Sequence, residues 1–179
     1  MEKLQVLFIV VSVIIFSCSP SKEKLQEQIK KTENNLFNQD KTNFILDTGN
    51  AMAAIHAYEA YANNIKDDSM SAEYLFRAAD VYRSMKKFDK SVAVYDRIIA
   101  EYPNSYRAPY SVFLKGFICE NETNEIEKAR DYYHQFLATY PNHKLKKDVA
   151  FSLKNLGKTP EELIKQFEQM QQDTSASVN

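Results

Sequence analysis

Apolar residues recur along this chain at intervals of three and four positions, the spacing of one face of an α-helix. The first clear face comprises Leu75, Ala78, Ala79 and Tyr82. A predicted turn at 86–89, with the sequence Lys-Lys-Phe-Asp, follows it. The second face comprises Ser91, Tyr95, Ile98 and Ile99. The pattern therefore predicts two amphipathic helices joined by a short turn.

This pair of helices is repeated. The tripeptide Tyr-Pro-Asn closes the first pair at 102–104 and a second pair at 140–142. Gly116 and Ala129 take the places of the small residues Ala79 and Ser91 in the second pair, but they stand 129 − 116 = 13 positions apart instead of 91 − 79 = 12. We therefore expect one extra residue in the turn between 120 and 125.

Weaker copies flank the two clear ones. A third unit spans about 142–171, with a first helix that ends at Gly157 and a second that starts at a capping box of Thr159 and Glu162. Upstream, the stretch 57–65 resembles the second helix of a further unit, with residues 44–47 near its first helix. A polar helix is predicted at 22–39.

The segment from Ala72 to Ser105 resembles the tetratricopeptide repeat (TPR), a 34-residue helical hairpin. The matching positions are small residues where the helices touch, aromatic residues beside them and an exit proline: Ala79, Ser91, Tyr82, Tyr95 and Pro103. The resemblance implies an all-α fold, a right-handed superhelical stack of about three to four hairpins. An antiparallel bundle or coiled coil is the alternative, but no strict heptad runs through the chain.

The chain opens with a short apolar run from Leu4 to Phe16, which is shorter than the roughly 20 residues of a membrane span. The segment Ile-Phe-Ser-Cys that ends at Cys18 resembles the lipobox of bacterial lipoproteins. The resemblance implies a signal peptide at 1–17 that is removed, and a Cys18 that is lipid-modified and holds the protein to a membrane. An uncleaved anchor helix is disfavoured by the length of the run.

Four parts follow from these features: the signal peptide at 1–17, a lipidated N-terminus with a polar helix at 18–42, a TPR-like domain at 43–171 and a disordered tail at 172–179. From about Asn43 to Gln171 the chain resembles the TPR lipoproteins of bacterial outer membranes, such as the BamD-type barrel-assembly subunit and the YbgF-type Tol-Pal coordinator. This resemblance implies an outer-membrane location, at the periplasmic face or the cell surface.

Composition agrees with a helical binding protein. The 179 residues include three glycines and no tryptophan, which is typical of an all-helical chain. A formal net charge of −1 argues against nucleic acid as a partner. If Cys18 is acylated, Cys119 is the one remaining thiol, and we expect it to be a small buried residue; a disulfide between the two would require an unmodified Cys18.

No constellation for catalysis, metal or cofactor binding is found. His56, His134 and His143 lack paired ligand spacing such as H-E-x-x-H, so no metal site is predicted. Gly157-Lys158-Thr159 resembles the end of a phosphate loop, but Ser152 stands where the first glycine should be and no strand precedes it. The helix-cap interpretation explains this stretch, and the sequence predicts a protein that is not an enzyme.

In stacked helical hairpins the first helices line a concave groove. Residues outside their packing stripe are candidates for partner binding: Phe76, Arg77, Asp80 and Arg83, then Tyr110, Phe113 and Phe117, then Lys147 and Lys154. Aromatic anchors with charges of both signs are typical of protein-binding surfaces. Alternatively, the aromatic residues fill the core and the charges are solvated.

The predicted function is that of a membrane-anchored scaffold that binds another cell-envelope protein through this groove, in outer-membrane assembly or envelope maintenance. The alternative is a lipoprotein that presents a glycan or peptide to a transporter. That function would require a deep closed pocket with convergent polar groups.

Overall fold

The computed structural model describes residues 19–37 and 46–176, with side chains as far as Gln172. The predicted signal peptide, Cys18 and residues 44–45 lie outside this part of the chain. The described residues form α1 (Lys22–Phe37), α2 (Thr48–Asn64), α3 (Ser69–Ser84), α4 (Phe88–Glu101), α5 (Arg107–Asn121), α6 (Ile126–Thr139), α7 (Lys146–Asn155) and α8 (Pro160–Ala176), and no strand.

The helices stack in sequence order. Each helix from α1 to α6 packs against the next helix along the chain, and α3 also touches α5. Contacts between nearest neighbours are the mark of a helical repeat array. The predicted all-α, TPR-like stack of hairpins is therefore confirmed.

Local signals in the sequence account for several helix ends. Thr159 and Glu162 bond reciprocally, with the Glu162 amide donating to Thr159 Oγ1 at 3.2 Å and the Thr159 amide donating to Glu162 Oε2 at 2.8 Å. The predicted capping box of α8 is therefore confirmed. Gly157 adopts φ +79° after α7, in the left-handed region that glycine tolerates best.

The two clear hairpins differ in their turns as predicted. Three residues, 85–87, separate α3 from α4, whereas four residues, 122–125, separate α5 from α6. Each turn contains one non-glycine residue with positive φ, Lys86 at 56° and Asn124 at 54°. Asn124 does not cap α6, because Glu125 occupies the N-cap position, where it makes no side-chain capping bond.

The N-terminal helix is part of the stack. It was expected to be a polar helix preceding the repeat domain, but its Leu25, Ile29 and Leu36 are buried, and α1 packs on α2. It therefore supplies the first helix of the first hairpin, where the sequence had suggested residues 44–47. Asp47 instead caps α2, and its Oδ1 accepts from the Asn50 amide at 2.7 Å.

The C-terminal boundary is also corrected. A disordered tail was predicted from residue 172, but α8 continues through Ala176. No glycine or proline follows Pro160, so nothing in the sequence breaks the helix that begins there.

Two clusters of buried side chains hold the stack together. The larger lies among α1–α4, is rich in tyrosine and alanine, and is joined by Ile118 from α5. The smaller joins α5, α6 and α7 through Val112, Cys119, Ala129, Tyr133, Phe136 and Val149. Cys119 is thus a buried free thiol in this structure.

Candidate partner-binding groove

Ion pairs connect the first helices of three successive hairpins on one face, which we call the first-helix face. Arg77 on α3 bonds Glu33 of α1 at 2.7 Å and Glu73 of its own helix at 3.0 Å. Arg107, at the start of α5, bonds the other oxygen of Glu73 at 2.6 Å. Side chains of α1, α3 and α5 therefore lie next to one another, as stacked first helices require.

Glu73 is the centre of this network. Its side chain is buried, and its two oxygens accept bonds from Arg77, Arg107 and the hydroxyl of Tyr106. Burial alone would raise the pKa of the carboxyl, but the bonds from Arg107, Tyr106 and Arg77 outweigh it and lower the pKa to about 2. The carboxylate therefore stays ionised and ties α3 to α5.

A second feature recurs through the stack. In each of the first three hairpins, a buried tyrosine of the second helix donates its hydroxyl to a carboxylate of the first helix. The pairs are Tyr58 with Glu33 at 2.8 Å, Tyr95 with Asp80 at 2.9 Å, and Tyr133 with Glu120 at 2.5 Å. Burial, followed by the neighbouring carboxylate, raises the pKa of each tyrosine. Each carboxylate is thereby held in a defined position at the first-helix face.

The sequence had placed Tyr95 among the packing aromatics but missed these bonds. The available signal was a second-helix tyrosine with an acidic residue 15 or 13 positions earlier in the two clear repeats. Sequence spacing alone does not show that the two helices cross at a distance that one phenol ring can bridge.

The four candidates on α3 have different positions. Phe76 is only 6% exposed, its ring centroid lies 5.6 Å from that of Tyr95, and the Arg107 guanidinium covers it at 4.1 Å. Phe76 is therefore a core residue, which corrects its assignment to an accessible groove. Asp80 is partly exposed and bonded by Tyr95, and Arg83 lies 3.7 Å from Asp80.

Arg77 and Arg83 also differ in how far their charges are paired within the chain. Arg77 is held by two carboxylates, so its charge is already paired within the chain. Arg83 makes one long contact with Asp80, and its buried Nε has no hydrogen-bond partner in the described part of the chain. Of the two arginines, Arg83 therefore keeps more bonding capacity for a partner.

The candidates on α5 form an aromatic surface. Phe113 and Phe117 are partly buried, with ring centroids 6.3 Å apart, and Phe113 stacks on Tyr133 at 6.2 Å. Tyr110 lies edge-on to His143 at 5.4 Å. These rings contribute to packing and remain partly accessible at the same time, so both sequence interpretations apply to them.

The candidates on α7 lie at the C-terminal end of the stack. Lys147 and Lys154 are exposed, and neither forms an ion pair with any described residue. Phe151 lies between them along α7 and stacks on Phe167 of α8 at 6.3 Å. The exposed side of α7 is therefore basic and apolar, whereas the face of α1 and α3 carries paired charges.

Cavities on the described residues are open to solvent. One of about 340 Å³ lies on the first-helix face between α1 and α3, and Glu33, Arg77 and Asp80 contribute to its lining. Another of about 610 Å³ lies at the loops around Asp68 and Pro103. Neither is the deep closed pocket that a small-ligand carrier would require.

Among residues 19–37 and 46–176, no group of three or more histidine, cysteine, aspartate or glutamate side chains is arranged to hold a metal ion. His56 and His134 are exposed, and His143 packs against the rings of Tyr110 and Phe136. Within the same ranges, no helix has the length and apolar character needed to span a membrane.

Comparison with known proteins identifies the repeated unit. Residues 73–105 and 113–143 match the tetratricopeptide repeat family. The first matched segment covers most of α3 and all of α4, and the second covers the C-terminal part of α5 and all of α6. No curated protein matches the chain significantly. The two matched repeats and the paired helices around them support a tetratricopeptide repeat protein, and such repeats indicate a scaffold for protein–protein interaction.

Proposed function

We propose that this protein is a non-enzymatic, membrane-anchored scaffold of the bacterial cell envelope that binds another envelope protein through its first-helix face. The observation that carries the proposal is the placement of Arg83, Phe113 and Phe117, which remain accessible on neighbouring first helices. An aromatic surface beside a partly paired arginine is the composition of a protein-binding hot spot.

The face is held in place before any partner arrives. Tyr95 fixes Asp80, and Tyr133 fixes Glu120, each from a fully buried position on the second helix. Side chains held by bonds within the protein lose little conformational freedom on binding. Such a surface favours recognition of a partner without rearrangement of the scaffold.

The start of α1 is fixed at one edge of the stack. Lys22 pairs with Asp68 in the loop between α2 and α3, and Asp68 also accepts from Tyr61 at 2.9 Å. The bond from Lys22, followed by the Met70 amide, lowers the pKa of Asp68 to about 2, so this pairing persists over a wide pH range. A lipid on Cys18, four positions before Lys22, would hold this edge near the outer membrane.

Site-directed photo-crosslinking tests the binding face. A photo-reactive amino acid at position 117 or 83 of the full chain, expressed in bacterial cells, should yield a discrete adduct with one envelope protein. Position 135 on α6 is the control, because Gln135 is exposed and lies on a second helix. Equal adducts from positions 117, 83 and 135, or none from the first two, would contradict the proposal.

The anchor is tested separately. Cys18→Ser should abolish incorporation of labelled fatty acid and move the protein out of the outer-membrane fraction. Cys119→Ser is the matched control, since that thiol is buried in the second cluster. Unchanged fractionation of Cys18→Ser would remove the anchor from the proposal and leave the binding face to be judged by crosslinking.

A further inference from the structure

The two ends of the helix stack differ in chemistry. The outward side of α1 is polar, with exposed Gln26, Lys30 and Asn34, although Phe37 is exposed at its last position. A polar outer side is what caps a helical repeat array. At the other end, none of the described side chains of α8 is buried, and its Ile164 and Phe167 are 58% and 43% exposed. Among its described residues, α8 therefore leaves large apolar side chains exposed at this end of the stack.

The apolar surface at this end is continuous across two helices. Phe151 of α7 is 50% exposed and stacks on Phe167 of α8, and Ile164 lies one turn before Phe167. Four of the six large hydrophobic residues that are exposed in the described part of the chain belong to α7 and α8. Clustered exposed apolar residues mark an interaction surface more often than scattered ones do.

The charges beside this apolar surface form two matching stripes. On α7, Lys147 and Lys154 bracket Phe151 on one helical face; we call these three residues the basic stripe. On α8, Glu161 and Glu168 bracket Ile164 in the same way; we call these three residues the acidic stripe. In both stripes the two like charges stand seven residues apart, about 10.5 Å along the helix. None of the four charged side chains forms an ion pair with another described residue.

We propose that the surface formed by α7 and α8 binds a second copy of this chain in a twofold dimer, with the basic stripe of each copy against the acidic stripe of the other. A twofold axis that runs along the hairpin places α7 of one copy antiparallel to α8 of the other. Lys147 then meets Glu168 of the partner subunit, and Lys154 meets Glu161 of the partner subunit. The apolar residues of both stripes are buried between the copies.

Self-association fits this surface better than other occupants do. The charges that would complement the basic stripe stand on the neighbouring helix of the same chain at the same spacing, which is the condition for an isologous interface. A head-to-tail filament would require an apolar outer face on α1, which is polar. A negatively charged lipid surface would be repelled by α8, whose described residues include three glutamates and one lysine. The proposal is independent of what the first-helix face binds.

Charge reversal tests the interface through a pair of complementary variants. The acidic variant, Lys147→Glu with Lys154→Glu, has two acidic stripes. The basic variant, Glu161→Lys with Glu168→Lys, has two basic stripes. Each variant alone should dissociate at least about tenfold more readily than the unmodified chain, because like charges then face each other. A 1:1 mixture should recover the dimer, because every acidic stripe meets a basic one.

Sedimentation equilibrium of the full chain in density-matched detergent measures the association. Lys30→Glu with Lys31→Glu on the polar side of α1 is the control and should associate like the unmodified chain. Chance sharing of a micelle would be the same in every sample. Loss of association in the single variants and its recovery in the mixture would therefore be due to the proposed interface. Circular dichroism confirms that each variant is folded. An unmodified chain that is monomeric, single variants that dimerise unchanged, or a mixture that stays monomeric would each overturn the proposal.

Discussion

The hairpins α3–α4 and α5–α6 match the same repeat, yet they close their helix crossings in different ways. In α3–α4, the crossing brings Ala79 and Ser91 together, and the buried Ser91 hydroxyl donates to the Ala79 carbonyl at 2.9 Å. In α5–α6, Gly116 has no side chain, and the ring of Tyr133 occupies the space where a Cβ would be.

This difference shows that one repeat pattern allows two kinds of packing. In α3–α4 a hydroxyl-to-carbonyl bond joins two small residues, whereas α5–α6 has no methyl group at Gly116, so an aromatic ring can approach the backbone. The first helices of the two hairpins also differ in the exposure of an equivalent phenylalanine. Phe76 and Phe113 both stand three positions before the small residue, but Arg107 covers Phe76, while Phe113 remains partly exposed beside Phe117.

The largest expected effect is that of Gly116→Ala. A Cβ at this position would lie 2.5 Å from Cε1 and 2.7 Å from Cδ1 of Tyr133, a ring that is fully buried and anchored to Glu120. We expect the free energy of unfolding to fall by about 2–3 kcal/mol, although alanine is the better helix former. Thermal unfolding followed by circular dichroism measures it.

Ala79→Gly in the other hairpin is the reciprocal control. It removes a methyl group without creating a clash. Because glycine is a poorer helix former than alanine, it should lower the free energy of unfolding by about 1 kcal/mol. Stabilisation by Gly116→Ala would show that the ring of Tyr133 can move, and that the two crossings are equivalent.

Glu73→Gln tests the ion-pair network centred on α3, which distinguishes hairpin α3–α4 from hairpin α5–α6. The Glu73 carboxyl titrates at about 2 in the folded protein against an ordinary value of 4.5. Its contribution to stability is therefore fully present above about pH 4.5 and is lost as the pH falls from there toward 2. At pH 7 we expect Glu73→Gln to lower the free energy of unfolding by on the order of 2 kcal/mol.

Denaturant unfolding at a series of pH values checks this prediction. The variant should lose less stability than the unmodified protein between pH 4.5 and pH 2, because the carboxyl that titrates there is gone. Glu27→Gln on the exposed side of α1 controls for the replacement of a carboxylate by an amide. It should leave the free energy of unfolding nearly unchanged at pH 7. Parallel pH profiles for Glu73→Gln and the unmodified protein would rule out the role given to this network.

The two turns offer a smaller contrast. Lys86 and Asn124 both adopt a left-handed backbone, which costs a lysine more than an asparagine. We expect Lys86→Gly to raise the free energy of unfolding by about 0.5–1 kcal/mol, and Asn124→Gly by only a few tenths. Urea unfolding of both variants gives the comparison. An equal or larger gain at Asn124 would show that the longer turn is the more strained one.

Ser91→Ala has the smallest expected effect. It removes the hydrogen bond to the Ala79 carbonyl but places a better helix former on α4. The free energy of unfolding should therefore fall by about 0.5 kcal/mol. Ser84→Ala is the control, because the Ser84 hydroxyl bonds the Asp80 carbonyl of its own helix at an exposed position. If both variants behave alike, the interhelical bond contributes nothing to the first crossing.

Much of the fold could be predicted from short-range patterns. The faces around Ala79 and Ser91, the extra residue in the second turn, and the Thr159 capping box depend on spacing within one or two helical turns, and the structure shows each of them. Such features are local, so the sequence alone contains them. Degenerate repeats lack a strong local signal, which is why α1 was separated from the stack although its Leu25 and Ile29 are buried.

The candidate groove depended on more distant contacts. Periodicity placed Phe76 on the side of α3 away from its packing stripe, but only the tertiary structure shows that Arg107, 31 positions later, covers it. Likewise, Glu73 and Arg77 have the i,i+4 spacing of a helical ion pair, but no spacing in the sequence pairs Arg77 with Glu33, 44 positions earlier. Helix periodicity determines which residues share a face; the crossing of stacked helices decides which of those side chains are covered, because coverage comes from residues of another hairpin.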